Sequence, residues 1–276
     1  MISDTEFEKL SQMGIKMRQN IVRMMGYGRA HHFGGSLSAV EIVTALYFFK
    51  MKIDPRNPVW EERDRFIMSK GHSVPAQYAA LAMLGFFDEK ELLTFKHLGS
   101  ILQGHPNPKT TPGVEAFTGS LGQGLSIANG MAMAARLRRQ TFRIYVLMGD
   151  GELHEGQVWE AAMSTSTLHL NSVTAIIDNN QLKSQGKTCD AKDLEPLEDK
   201  WRSFGWQTVS VDGHDLRQIC SALDYAEMDK DNPVVIIAHT VKGKGISFME
   251  NRFEFHNSAI NQDQWELAML ESERGI

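Results

Sequence analysis

Residues 143–181, RIYVLMGDGELHEGQVWEAAMSTSTLHLNSVTAIIDNNQ, decide the fold of this chain. The apolar run 144–148 predicts a buried strand, and the glycines around Asp150 predict a tight turn. A helix then leads to a second predicted strand over residues 173–177, an order typical of a parallel α/β sheet. Asp150 and Asn180 follow these two strands, so they meet at one edge of the sheet if the strands are neighbours.

That edge is suited to a hard cation. Mg²⁺ prefers oxygen ligands and commonly combines one or two protein carboxylates or amides with phosphate oxygens and water. Asp150 and Asn180 supply one carboxylate and one amide, which predicts a cation and phosphate site. The alternative is an ordinary βαβ unit in which the glycine turn serves folding alone.

Length and composition bound the class of protein. The 276 residues suffice for one α/β domain, and no repeat or linker divides them, so we expect residues 1–276 to form a single domain. A net charge of −5 gives no electrostatic indication that the protein binds nucleic acid or an anionic membrane. Two cysteines suit a reducing cytoplasm, and the charged N-terminus argues against a secretory signal. No apolar run approaches the roughly 18 residues of a membrane span.

Apolar periodicity predicts a mostly parallel sheet with helices on both faces. The predicted strands cover residues 66–69, 144–148, 173–177, 207–211 and 233–239. Outside the opening stretch, the predicted helices cover residues 4–25, 39–49, 75–84, 88–97, 125–139, 197–204 and 215–228. We expect Ser3 or Asp4 to cap the first helix, and Asp212 or His214 to cap the last. Residues 181–195 and the tail 240–276 are expected to be loops, the tail closing over the site.

Histidines recur beside glycines in the predicted loops. His32 precedes Gly34-Gly35, and His72 lies at a strand-to-helix junction, where backbone amides favour anions. The long loop 99–124 contains His105 and a second glycine cluster, and a structureless loop of this length is usually functional. His256 lies in the tail.

The ordered segments HHFGGSLSAVEI, SKGHSVPAQYA, QGHPNP with TPGVEAFTGSLGQG, GDGELHEG, DNN and HTVKGKG resemble the N-terminal half of transketolase. The resemblance covers nearly the whole chain, and it implies a thiamine-diphosphate-binding fold and transfer of a two-carbon ketol unit from a ketose to an aldose. The pyrimidine-binding and C-terminal domains of that family have no counterpart here. The resemblance therefore implies the N-terminal subunit of a split transketolase, in an α₂β₂ assembly with a C-terminal partner subunit.

The resemblance also implies roles for individual residues. A divalent cation, Mg²⁺ or else Ca²⁺ or Mn²⁺, is bound by Asp150, Asn180 and the carbonyl of Leu182. The cofactor residues are those at the diphosphate (Gly151, His72, His256), those near the aminopyrimidine (Gly119, Leu121) and Glu155, which helps to hold a site shared between subunits. The substrate channel is lined by His32, His72 and His105, with His256 at its wall. The glutamate that activates the cofactor belongs to the missing half, so this chain alone should be inactive.

One position departs from the family pattern. His31 stands where the family usually has a small residue, and a bulky side chain there could reshape the donor pocket and change the sugar used. The remaining histidines are expected to have no role at the site: His97, His154, His169, His214 and His239, with His31 also more simply explained as a core or capping residue.

Other functions remain open on the sequence. 1-Deoxyxylulose-5-phosphate synthase shares the GDG and NN motifs, although the KGKG and HPNP segments are closer to transketolase, and specialised ketol transferases fit as well. A non-catalytic cofactor-binding scaffold would not need the four site histidines. A nicotinamide dehydrogenase is disfavoured because no G-x-G-x-x-G opens a helix after an early strand.

Overall fold

A computed structural model describes residues 2–229 and 231–274. A five-stranded sheet with the order β1-β2-β3-β7-β6, all neighbours parallel, forms its centre. A small antiparallel hairpin, β4-β5, lies outside it. The strands are β1 (Arg65–Met68), β2 (Ile144–Gly149), β3 (Val173–Asn179), β4 (Leu182–Lys183), β5 (Gly186–Lys187), β6 (Gln207–Asp212) and β7 (Val234–His239).

Helices cover both faces of the central sheet. Within the described residues they are α1 (Asp4–Met25), α2 (Phe33–Leu37), α3 (Val40–Ala45), α4 (Val74–Leu84), α5 (Gly124–Arg138), α6 (Gly156–Thr167), α7 (Thr188–Ala191), α8 (Leu197–Ser203), α9 (Leu216–Met228) and α10 (Gln262–Ser272). Short 3₁₀ turns span Gly71–Ser73, Glu89–Thr94, Gly151–His154 and Phe253–His256.

Strand β2 shows why the sheet needs two helical layers. Tyr145 and Leu147 pack into one apolar core, with α1, α3, α4 and α9, whereas Val146 and Met148 pack into the other, with α5, α6 and α8. Successive side chains of a strand point to opposite faces, so an unbroken apolar run must be covered on both sides. The predicted α/β architecture is confirmed, and the five predicted strands match within two residues at each end.

The first helices differ from prediction in detail. Helix α1 begins at a capping box in which Ser3 accepts from the Glu6 amide and Glu6 accepts in return, so Ser3 is the cap. The helix predicted over residues 39–49 is confirmed in position but not as one regular α-helix. It consists of α3 and a π-helical turn at Leu46–Lys50, which closes with the Met51 amide donating to the Leu46 carbonyl, and the short helix α2 precedes it.

Three further predictions are corrected. Residues 181–195 contain the β4-β5 hairpin and α7 rather than a continuous loop. The cap of α9 is Asp215, whose carboxylate accepts from the amides of Arg217 and Gln218. The tail is not only a loop, because α10 begins at an Asn261–Gln264 capping box and packs on α1. The loop predicted over residues 99–124 does lack helix and strand up to Gly124, where α5 begins, whereas the helix predicted over residues 88–97 is a 3₁₀ turn at Glu89–Thr94.

In the described part of the chain, no helix combines the length and apolar character needed to cross a membrane.

Candidate active site

Four neighbouring strands deliver polar side chains to one edge of the sheet. Lys70 and His72 follow β1, Asp150 follows β2, Asn180 follows β3 and Lys242 follows β7. Strands β2 and β3 are paired directly, with Gly149 opposite Asp178. Because the strands are parallel, their carboxyl ends meet at the same edge, and the predicted adjacency of the β2 and β3 termini is confirmed.

A cavity of about 180 Å³ opens at this edge. Seven of the residues predicted for the site line it: His72, Leu121, Asp150, Gly151, Asn180, Leu182 and His256. Four predicted residues do not line it: His32, His105, Gly119 and Glu155. Three unpredicted lysines, Lys70, Lys183 and Lys242, do.

Asp150 has an unused carboxylate oxygen. Its Oδ1 accepts from the Gly151 amide at 2.7 Å, whereas its Oδ2 is buried and bonded to no described residue. Burial, and then the charge of Asp178, raise the pKa of Asp150 to about 7. A buried oxygen without a partner costs free energy, which a bound cation would remove. The carboxylate therefore fits a cation ligand.

The other proposed cation ligands lie on the segment after β3. The Asn180 Oδ1 accepts from the Leu182 amide at 3.1 Å, and the Leu182 carbonyl accepts from the Lys242 ammonium at 2.8 Å. With Asp150 they form a mixed set of carboxylate, amide and carbonyl oxygens, the ligand types that Mg²⁺ and Ca²⁺ take in proteins.

Asp178 differs from Asp150 although both end buried strands. Its carboxylate accepts from the Lys70 ammonium, from the Ser38 hydroxyl at 2.6 Å and from the Thr240 hydroxyl. Burial opposes ionisation, but the Lys70 charge and these bonds hold the pKa of Asp178 below its usual value. Asp178 is thus a satisfied structural anion, and Asp150 is the carboxylate left for a ligand.

Lys242 is the main residue that sequence reasoning missed. Its side chain is buried, and besides Leu182 it contacts His256 Nδ1 at 3.1 Å. Burial and the charge of Lys70 lower the pKa of Lys242 to about 8, against the opposing effect of two carboxylates. A cation buried beside a cavity is suited to a phosphate. The Lys-Gly-Lys-Gly motif in the sequence was the available signal.

Three histidines form a cluster beside the cavity. The ring centroids of His32 and His72 are 4.9 Å apart, those of His72 and His256 are 5.1 Å apart, and those of His32 and His256 are 5.5 Å apart. Burial, followed by neighbouring positive charges, lowers the pKa of His32 to about 4, that of His256 to about 3 and that of His72 well below its usual value. The rings are therefore neutral near pH 7, and each offers one donor and one acceptor nitrogen.

His105 and Gly119 lie together on the long loop. A Cβ on Gly119 would come within 3.2 Å of the His105 ring, so glycine permits this approach. Desolvation and the charge of Lys96 lower the pKa of His105. The loop 119–124 is held by Glu152, a residue not predicted for the site, which accepts from the Gly122 amide at 2.8 Å and from the Gly149 amide at 3.2 Å.

Glu155 lies away from the cavity. It precedes α6, is exposed to solvent and packs against Gly122, where an added Cβ would lie 2.8 Å from the Glu155 Cβ. Gly122 has a φ of +84°, so its lack of a side chain serves both the backbone conformation and this contact.

The histidines expected to lie outside the site do not join the cluster. His31 is buried, with its ring against Phe33 and Phe95, and its backbone pairs with that of Ser258. His214 contacts Glu41 and the Val241 amide, and His239 contacts Ser210. The proposed influence of His31 on the donor pocket stays a prediction. Because His31 does not line the cavity, this influence would have to pass through neighbouring residues.

Comparison with known proteins identifies the family. Residues 16–275 match the family described as transketolase, thiamine diphosphate binding domain. The chain is 43% identical to the 6-deoxy-6-sulfo-D-fructose transketolase subunit SqwG of Clostridium sp. (strain MSTE9), over 95% of this chain and 98% of that protein. It is 40% identical to an apulose-4-phosphate transketolase subunit of Phocaeicola vulgatus, over 98% of this chain and 96% of that protein. Human transketolase is 36% identical over 96% of this chain but only 42% of its own length.

Solved structures agree with this assignment. The crystal structure of Campylobacter jejuni transketolase superposes with a TM-score of 0.89 at 30% identity, covering 95% of this chain and 42% of that one. Because both sequence and fold match across nearly all of the chain, this protein belongs to the transketolase family and corresponds to its thiamine-diphosphate-binding domain.

Proposed function

We propose that this chain is the N-terminal, cofactor-binding subunit of a split transketolase, with residues 1–276 forming its diphosphate-binding domain. The observation that carries the proposal is the unpartnered carboxylate oxygen of Asp150, which lies in one cavity with Lys242 and His256. An anionic ligand accompanied by a divalent cation satisfies both the free carboxylate oxygen and the buried ammonium.

In this proposal the cation is Mg²⁺, or Ca²⁺ or Mn²⁺, held by Asp150, Asn180 and the Leu182 carbonyl. The residues proposed for the diphosphate of thiamine diphosphate are Gly151, His72, His256 and, from the structure, Lys242. Gly119 and Leu121 approach the aminopyrimidine, and Glu155, exposed beside Gly122, contributes to a site shared with another subunit.

The proposed reaction is transfer of a two-carbon ketol unit from a ketose to an aldose. When bound, the cofactor supplies the carbon nucleophile for this transfer. His32 and His105, together with His72 and His256, orient sugar hydroxyls and exchange protons with them. Neutral imidazoles are suited to this work because each can donate and accept in turn.

A partner subunit is part of the proposal because the cavity is small. Its 180 Å³ falls below the range of about 300–1,000 Å³ typical of complete small-molecule sites. The Clostridium and Phocaeicola relatives, which align over nearly their whole length, are both named as transketolase subunits. We propose a C-terminal partner that supplies the pyrimidine-binding domain in an α₂β₂ assembly. We place the protein in the reducing cytoplasm, since Cys189 and Cys220 are both free thiols.

The substrates are proposed to be sugars or sugar phosphates. Both of these relatives are named for sugars that carry an acidic group, a sulfonate in one and a phosphate in the other. His31 packs against Phe95, next to Lys96. After burial, the positive charge of Lys96 is the next cause that lowers the pKa values of His31, His32 and His105. Through this contact, replacement of His31 should change donor preference.

This prediction is tested with His31→Gly and His31→Phe. The glycine variant should change the ratio of kcat/KM between two ketose donors by about threefold or more, equivalent to roughly 0.7 kcal/mol. The phenylalanine variant keeps the ring packing and should change it less. Equal ratios in all three proteins would remove His31 from the account of specificity.

The proposed function is tested by mixing the purified chain with a C-terminal transketolase subunit, in the presence of thiamine diphosphate and Mg²⁺, and assaying ketol transfer. Activity should require both subunits and the cofactor. Full activity of this chain alone would overturn the proposed partner requirement. Cofactor binding without activity in any mixture would favour the scaffold alternative.

A further inference from the structure

The loop that presents Lys242 to the cavity is itself anchored on a buried network. We call residues 240–245 the lysine loop. Lys242 reaches the Leu182 carbonyl and His256 from this loop, and its nearest chain neighbour, Val241, contacts a histidine outside the cavity.

That histidine is His214, in the turn between β6 and α9. The Val241 amide donates to His214 Nε2 at 2.8 Å, and His214 Nδ1 lies 2.8 Å from a carboxylate oxygen of Glu41. The other Glu41 oxygen accepts from the Arg18 guanidinium at 2.5 Å. Arg18 also donates to the Lys244 carbonyl at 3.1 Å. One buried carboxylate on α3 thus holds the lysine loop on both sides of Lys242.

The hydrogen bonds show which ring nitrogen of His214 carries its proton. An amide is only a donor, so His214 Nε2 must carry a lone pair where it meets Val241. The proton of the neutral ring then lies on Nδ1 and is donated to Glu41. The ring acts as a rigid spacer that transmits the position of Glu41 to the backbone next to Lys242.

We infer that His214 is a positioning residue for the cofactor site, which sets the place of the Lys242 ammonium through its bond to Val241. This inference rests on the proposed function, because it concerns the affinity of Lys242 for a diphosphate. His214 does not line the cavity, so its effect on binding must pass through the lysine loop.

Two substitutions separate the two bonds of His214. His214→Gln can place its amide oxygen where Nε2 accepts from Val241, and His214→Asn can place its amide nitrogen where Nδ1 donates to Glu41 but does not reach Val241. We expect Mg²⁺–thiamine diphosphate, titrated calorimetrically into the chain mixed with its C-terminal partner subunit, to bind the Gln variant within about threefold of wild type. The Asn and Ala variants should bind about tenfold more weakly, the equivalent of one lost hydrogen bond.

A double-mutant cycle tests whether the effect passes through Lys242. In a Lys242→Met background, His214→Asn should have no further effect on the dissociation constant. His169→Ala is the control, since this histidine is exposed and follows α6, away from the lysine loop in the chain. It should leave binding unchanged.

Two outcomes would overturn the inference. One is equal binding by the Gln and Asn variants, and the other is a loss of affinity on His214→Asn that persists in full without Lys242. A wild-type chain that does not bind Mg²⁺–thiamine diphosphate even when mixed with the C-terminal partner subunit would instead overturn the proposed function and the inference with it.

Discussion

Asp150 illustrates a conflict between stability and ligand binding at the level of one residue. Its carboxylate is buried, has one oxygen without a described partner and has a pKa raised to about 7 by burial and by Asp178. Each unit by which folding raises an acid's pKa costs about 1.4 kcal/mol once the group is ionised. The ligand-free chain therefore retains an unfavourable anion that a cation would stabilise.

Asp150→Asn should separate the two effects. Above pH 7 the substitution should raise the unfolding free energy of the ligand-free chain by about 2 kcal/mol, because the buried charge is removed. It should also weaken Mg²⁺–thiamine diphosphate binding at least about tenfold, since a charged ligand is lost. Urea unfolding and calorimetric titration measure the two quantities.

Asp190→Asn, at an exposed position on α7, is the control and should alter neither quantity. If Asp150→Asn bound the cofactor as tightly as wild type, Asp150 would not be a cation ligand.

At the scale of elements, Glu41 joins α1, α3 and the turn before α9 through Arg18 and His214. Burial by itself would raise the pKa of Glu41, but Arg18 and His214 together hold it below its usual value. The folded state thus favours the ionised carboxylate. This stabilisation is present above the unfolded pKa of about 4.3 and is lost as the pH falls through the lower folded value.

Glu41→Gln should accordingly lower the unfolding free energy at pH 7 by about 3 kcal/mol, because Arg18 keeps a buried charge without its anion. The difference from wild type should shrink as the pH falls from about 4.3 through the lower folded pKa of Glu41, because the wild-type stabilisation is lost over that range. Denaturant unfolding between about pH 7 and pH 3.5 measures it.

Glu8→Gln, exposed on α1, serves as the reference and should stay within about 0.5 kcal/mol of wild type throughout. A difference for Glu41→Gln that stays constant over the whole pH range would show that ionisation of Glu41 does not stabilise the fold.

At the scale of the whole molecule, the sheet edge encloses the proposed cation ligands but leaves several other proposed site residues exposed to solvent. The proposed cation ligands and Lys242 lie around a small cavity, while His105 and Gly119 lie on an exposed part of the long loop. Glu155 is exposed as well. A catalytic site needs its reacting groups held and shielded from water, which this chain provides only around the cavity. This arrangement supports the proposal of a second subunit.

The sequence alone determined the α/β fold, the order of the strands along the chain and the edge at which Asp150 and Asn180 meet. These follow from local signals, namely apolar runs, glycine turns and the rule that parallel strands end at one edge. The resemblance to the family also identified His32, His72, His105 and His256 as a set, without their mutual distances.

Only the tertiary structure decided which polar groups are satisfied. Asp150 and Asp178 both follow apolar strands in the sequence, yet Lys70, Ser38 and Thr240 engage one and leave the other an unpartnered oxygen. His214 had no expected role at the site until folding placed it between Glu41 and Val241, residues far from it in the chain. Hydrogen bonding and burial depend on such distant contacts, so they emerge only when the chain is packed.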